Sequence, residues 1–285
     1  MIPLQPDSSY HIYNHANGFE NIFSHEANYW YFLEKYKLYI EPIAETYACC
    51  LMPNHFHLVI RIRKKEVIEE AIIKTRFPNL SQSSKALQTN SNLSQSSKAQ
   101  LTNSNLSQSS KAQQGGNFGK GLHTCAAETL EKVLTNVEEN FGKGLKNGKE
   151  NFEKSFNDKE IEKYLSKQFA NLFSCYTQSF NKVYNRMGSL FIKNFKRELI
   201  TDKTHFLNTV AYVHRNPVHH GFCEEFDEWP FSSYRHIAAN EPFEIKIEST
   251  KLIKMATSLE SLIQLHQKSL SNFKNSDKYF DLPVI

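Results

Sequence analysis

Apolar positions divide the chain into two patterned blocks with a polar stretch between them. In the first block, Tyr10 to Asn14 reads as a short strand, Ala27 to Tyr39 as a helix and Glu45 to Met52 as a second strand. Pro53-Asn54 turns into a third strand, whose apolar run (Leu58, Val59, Ile60, Ile62) is followed by Lys64-Lys65-Glu66 and a helix ending near Arg76. Strand, helix, strand, strand, helix predicts an α+β fold: a ferredoxin-like sandwich built on an antiparallel-rich sheet, with extra helices.

In the second block, Phe169, Leu172, Phe173, Tyr176, Phe180, Val183 and Tyr184 recur at helical spacing, so a long amphipathic helix is expected to stop near Met187-Gly188. Beyond it, Arg186, Lys193, Lys196 and Arg197 are interleaved with Leu190, Phe191 and Phe195. Such a mixture suits pairing with phosphates and stacking on bases, and equally suits a partly buried hairpin with solvated lysines. The next helix is capped by Asp202 or Thr204 and is expected to end by Pro217, because the residue before a proline is pushed out of helical geometry. On it, Phe206, Leu207, Val210, Ala211 and Val213 form one apolar arc, and His205, Tyr212 and Asn216 gather on another. Tyr212 and Asn216 are four apart and share a face. From Lys246 onward, Leu259, Leu262, Ile263 and His266 make an amphipathic stretch that reads as a packing helix or a partner-binding tail.

Between the blocks, Asn79-Leu80-Ser81-Gln82-Ser83-Ser84-Lys85-Ala86 recurs from Asn92 and from Asn105, a period of thirteen residues in polar sequence. Such sequence buries too little apolar area to offset its ordering entropy, so a disordered insert is expected. A second echo (Asn117-Phe118-Gly119-Lys120 and Asn140-Phe141-Gly142-Lys143) lacks the spacing of a phosphate-binding loop. The expected layout is therefore one folded unit in two halves, 1–77 and 159–240, split by a repeat insert over 78–158 and followed by a helical tail over 241–285.

With 285 residues, of which 40% are hydrophobic and 13% aromatic, the chain can bury a real core. A formal charge of +4 permits a nucleic-acid partner without demanding one. Five cysteines, an odd number without metal-ligand spacing, point to free thiols and a cytoplasmic location, and no stretch approaches the length of a membrane span. The sharpest chemical signal is His55-Phe56-His57. Alternation on a strand sends both imidazoles to one side and Phe56, Leu58 and Ile60 to the other, which builds a divalent-metal site on a sheet. The competing readings are two structural histidines, a core-edge Tyr212 and an Asn216 that merely ends its helix. His205 and His214 read as surface or packing groups, and His219-His220 carries no implied ligand geometry.

Met52-Pro53-Asn54-His55-Phe56-His57-Leu58-Val59-Ile60, with Tyr212-Val213-His214-Arg215-Asn216-Pro217-Val218 and Trp229-Pro230-Phe231-Ser232-Ser233-Tyr234, resembles the single-tyrosine HUH transposases of insertion sequences, in particular the REP-associated tyrosine transposases. The resemblance covers about 8–77 and 165–240, and the repeat insert is no part of it. It implies that His55, His57 and Asn216 bind Mg2+ or Mn2+ and that Tyr212 is the nucleophile. The implied activity is cleavage and rejoining of single-stranded DNA with hairpin or palindromic ends through a 5′-phosphotyrosine, in a bacterial cytoplasm and nucleoid, by a monomer or a homodimer. Two other readings stand beside it: a metal-dependent phosphodiesterase that activates water, and a domesticated palindrome-binding regulatory protein.

Overall fold

The computed structural model describes residues 2–76 and 156–274. The repeat insert expected over 78–158 lies outside the described residues except for its last three, as do the final eleven positions of the tail. The first half forms β1 (Ser9–His15), α1 (Glu26–Tyr39), β2 (Ala44–Met52), β3 (His55–Ile62) and α2 (Lys65–Arg76). The second half supplies α3 (Asp158–Val183), β4 (Lys196–Ile200), α4 (Lys203–His219), α5 (Tyr234–Ala239), α6 (Ser249–Ala256) and α7 (Leu259–Lys274).

The four strands pair antiparallel in the order β2-β3-β1-β4, with α1 crossing between β1 and β2, and α2 and α3 between β3 and β4. This mixed α+β arrangement is consistent with a ferredoxin-like element. Alternation gives the sheet two unlike faces. One carries Phe56, Leu58 and Ile60 under α1 and α3, where the Phe56 ring lies 5.3 Å from Phe32 and 5.8 Å from Phe173. The other carries His55, His57 and, from β1, His11, Tyr13 and His15, and it is covered by α4. The free edge of β2 is capped by later chain: Leu51 donates to the Phe231 carbonyl at 3.0 Å, and Glu248 donates to the Thr46 carbonyl at 2.8 Å. Covering an edge in this way removes a template for strand addition.

Local chemistry sets the helix starts. At α3, Asn157 accepts from the Glu160 amide (3.0 Å) while the Glu160 carboxylate accepts from the Asn157 amide (3.1 Å), a reciprocal capping box. At α4 the cap is Asp202, whose Oδ1 accepts from the His205 amide at 2.9 Å. Such a cap is worth about 1 kcal/mol.

The structure corrects two expectations. Helix α4 does not end before Pro217 but carries it in its last turn, where the missing N–H forfeits a single hydrogen bond. The basic segment after Gly188 is not a hairpin of its own: its end, Lys196–Ile200, is the β4 edge strand, paired to β1 with Tyr13 opposite Lys196 and His11 opposite Glu198. Helix α7 packs on α4, where His214 Nδ1 and His266 Nε2 lie 2.9 Å apart and Arg215 donates to the Ser269 carbonyl at 2.9 Å. Among the described residues no helix is long and apolar enough to cross a membrane, and Cys49, Cys50, Cys175 and Cys223 are free thiols.

Candidate active site

β3 brings His55 and His57 to one face with their ring centroids 5.3 Å apart. The same alternation on β1 lays His15 against His55 (4.5 Å) and His11 against His57 (5.1 Å). From above, α4 presents Tyr212 and Asn216, and its C-cap His220 follows at the same spacing of four, so the three line up as one stripe. The Tyr212 ring stands perpendicular to both His57 and His11 at 5.7 Å, and His220 meets His55 at 4.7 Å. Asn216, 1% exposed, sits one turn from each end of that stripe. Its Nδ2 donates to the Tyr212 carbonyl at 2.9 Å, so the amide oxygen is the end left for another contact. The two halves of the chain therefore meet where His55, His57 and Tyr212 adjoin.

The hydrogen bonds of the two imidazoles are unequal at their two nitrogens. His55 Nδ1 lies 2.7 Å from Asn54 Oδ1, and His57 Nδ1 lies 2.9 Å from His11 Nε2. Both Nε2 atoms are buried and have no hydrogen-bond partner among the described residues. Buried polar atoms in folded proteins nearly always find a partner, and leaving one without costs about 1–3 kcal/mol. Two orphaned Nε2 atoms on adjacent rings suit a cation held by neutral imidazoles, and the Asn54 side-chain oxygen, which only accepts, calls for the Nδ1–H form of His55 that such a cation needs. Among the described residues no three His, Cys, Asp or Glu side chains form a metal-binding cluster, so a cation here would need a ligand of another kind, such as the Asn216 amide oxygen.

Electrostatics keep this pocket neutral until something charged arrives. Burial, aided by the adjacent His15 and His220, pushes His55 down to about 2, and burial beside His11 and His55 pushes His57 well below the usual imidazole range. Burial raises the Tyr212 phenol above its ordinary 10, against opposing pulls from Asn216 and Arg215. Without added positive charge this phenol holds its proton more tightly than a free tyrosine.

The four basic residues singled out in the sequence do not gather on one surface. Arg186 is engaged with the Glu20 carboxylate (Nε to Oε1 2.8 Å), Asn181 and the Ser189 carbonyl, fastening the loop after α3 to the loop after β1. Lys196 and Arg197 are successive residues of β4 and point to opposite faces of the sheet. Lys196 is exposed on the Tyr13 side, while Arg197 reaches Ser166 at 3.2 Å and lines a groove of about 640 Å³ with Lys193, Phe173 and Phe195. Sequence reading overlooked His11, His15 and His220. A signal for the first two was present, since His11-Ile12-Tyr13-Asn14-His15 repeats the every-second-residue spacing of His55-Phe56-His57.

No protein-family model matches this chain. Over 73 residues it is 33% identical to a protein described as a putative REP-associated tyrosine transposase of Haemophilus influenzae, a stretch comprising 25% of this chain and 42% of that protein. The relationship is distant, a link at the level of a superfamily. The chain thus aligns with less than half the length of that curated relative. A solved structure of a REP-associated tyrosine transposase bound to a REP hairpin aligns over 87% of this chain and 93% of its own, at 10% identity and a TM-score of 0.38.

Proposed function

We propose that this protein nicks and rejoins single-stranded DNA at hairpin or palindromic ends, with Tyr212 as nucleophile and His55, His57 and Asn216 as the holders of Mg2+ or Mn2+. The observation that carries this reading is the pair of buried, unpartnered Nε2 atoms of His55 and His57 on the sheet face that Tyr212 also faces, its ring 5.7 Å from that of His57. The partial likeness to a tyrosine transposase supports the same class of chemistry. A bound divalent cation would supply charge neutralisation on the phosphate oxygens and draw down the phenol's pKa.

The remaining work falls to the chain. Tyr212 Oη attacks phosphorus in line, an Oη–P bond forms, the P–O3′ bond breaks, and the phenolic proton is balanced by the one taken up by the departing 3′ oxygen. Because one phosphoester replaces another, a 3′-hydroxyl can reverse the step without an outside energy source. The bond from Asn216 Nδ2 to the Tyr212 main-chain carbonyl, one turn back, fixes the Asn216 amide and leaves its oxygen as the end available to a cation. Burial of the pocket excludes competing water, and Lys193 and Lys196, both exposed, are the groups of the basic segment open to a DNA backbone. A cytoplasmic location accords with the free thiols.

Incubation with a panel of single-stranded hairpins and Mn2+, followed by denaturing gels, tests the reading. Wild-type protein forms a covalent adduct, and Tyr212→Phe abolishes it while leaving DNA binding intact. Adducts that persist in Tyr212→Phe remove Tyr212 as nucleophile. Hydrolysis without adducts and unchanged in Tyr212→Phe selects the water-activating phosphodiesterase, and metal-independent binding without nicking selects a regulatory DNA-binding protein.

A further inference from the structure

We propose that His11, with the Glu198 carboxylate beside it, holds His57 in the one tautomer able to accept a cation at Nε2. This inference rests on the metal-binding reading above and concerns residues to which that reading assigns no role.

The geometry is a line of acceptors and donors running inward from the sheet edge. Tyr13 donates to Glu198 Oε1 at 2.9 Å, Glu198 Oε2 faces His11 Nδ1 at 3.9 Å, and His11 Nε2 lies 2.9 Å from His57 Nδ1. His57 Nε2 is then the buried, unpartnered end. A pair of neutral imidazoles can share its hydrogen bond in either direction, so the contact between His11 and His57 does not by itself choose a tautomer. The carboxylate does. At 3.9 Å ionised Glu198 is beyond hydrogen-bond distance of His11 Nδ1, but its negative charge favours the proton on that nitrogen; His11 Nε2 is then the lone pair, and His57 donates from Nδ1. That leaves His57 Nε2 unprotonated. His55 reaches the same state by a shorter route, donating from Nδ1 to the Asn54 side-chain oxygen Oδ1 at 2.7 Å. The opposite polarity would put a proton on His57 Nε2, buried with nothing to accept it, and would turn a lone pair of His11 toward a carboxylate.

His11 is 6% exposed and sits behind His57, so it is a positioning residue. Partners of this kind behind a metal ligand typically govern about 10–100-fold in metal affinity. Two measurements test the proposal. In the metal-free protein, nitrogen-15 NMR of the imidazoles should show His57 protonated at Nδ1 and bare at Nε2; a proton at Nε2 overturns the proposal whatever the enzyme's activity. Manganese affinity, read by electron paramagnetic resonance, should fall about 10–100-fold in His11→Leu. It should be largely restored in His11→Gln, whose amide oxygen can accept from His57 where His11 Nε2 does. Equal affinities of His11→Leu and wild type, or equal losses in the Leu and Gln variants, overturn it. Glu198→Gln, an exposed change that spares the core, should weaken Mn2+ by about threefold, a smaller step because solvent reaches that end of the line; unchanged affinity counts against the proposal. Failure of the wild type to bind Mn2+ at all, with the expected His57 tautomer present, would instead sink the metal-binding reading.

Discussion

Phe56 and His57 are neighbours in one strand and both wholly buried, yet they enter surroundings of opposite kinds. On the Phe56 side, Phe32, Phe173 and Phe191 surround Phe56 ring to ring, and the buried atoms without a partner, Asn28 Nδ2 and Arg197 Nε, lie apart from one another. On the His57 side every ring is paired at one nitrogen or stacked on a neighbour, and still two Nε2 atoms are left over. The first face is built chiefly of packed aromatic and aliphatic side chains. The second accepts a standing cost, which is the mark of a surface shaped for something absent from the folded chain.

The contrast can be broken by substitution. Phe56→Ala should cost about 3–5 kcal/mol of unfolding free energy, because a cavity opens under two helices, as denaturant titration would measure. His57→Leu, equally buried, should cost less, about 1–3 kcal/mol, since it removes an unsatisfied nitrogen and roughly keeps volume but leaves His11 Nε2 without its partner. The same change should abolish Mn2+ binding. If His57→Leu is as damaging as Phe56→Ala, the two faces do not differ in the way described.

Acid should attack one side of the sheet only. Burial holds His220 and His266 down at about 4, and His214 well below the usual range, all on the α4 side. These groups bind fewer protons folded than unfolded, so their stabilisation is whole above the ordinary imidazole pKa of about 6.5 and is lost as pH falls toward about 4. Melting temperature should accordingly drop between pH 7.5 and pH 5, and His266→Leu should flatten that slope. The smallest effect belongs to the exposed cations: Lys193→Ala and Lys196→Ala should each weaken hairpin binding modestly and reduce the slope of log affinity against log salt by about 1. Arg186→Ala should loosen the loops around Glu20 without changing that slope, because its guanidinium is already engaged within the protein.

Local rules read well where a residue's surroundings are its own neighbours in sequence. The strand at His55–Ile62, the Asp202 cap and the shared face of Tyr212 and Asn216 follow from period and capping chemistry. They read poorly where distant chain decides. β4 escaped notice because Lys196-Arg197-Glu198 is a charged edge strand whose only apolar support is β1, well over a hundred residues earlier in the chain. His220 was passed over as lying beyond a helix ended by Pro217; the helix runs through Pro217 to His219 and holds His220 as its C-cap, one turn past Asn216.

Alternation, fixed by backbone geometry, sends His55 and His57 to one side of β3 and was legible there; the same rule sends His11, Tyr13 and His15 to one side of β1, where it went unrecognised. Only the packed structure decided that β1 and β3 would pair in the register that sets Tyr13 beside His57, and that α4 would cover that face and not the other. Register and burial depend on apolar contacts between segments far apart in the chain, whose net free energy no local window contains. For that reason the His55-Phe56-His57 motif was legible in the sequence, while the unpartnered Nε2 atoms of its two histidines became visible only in the packed fold.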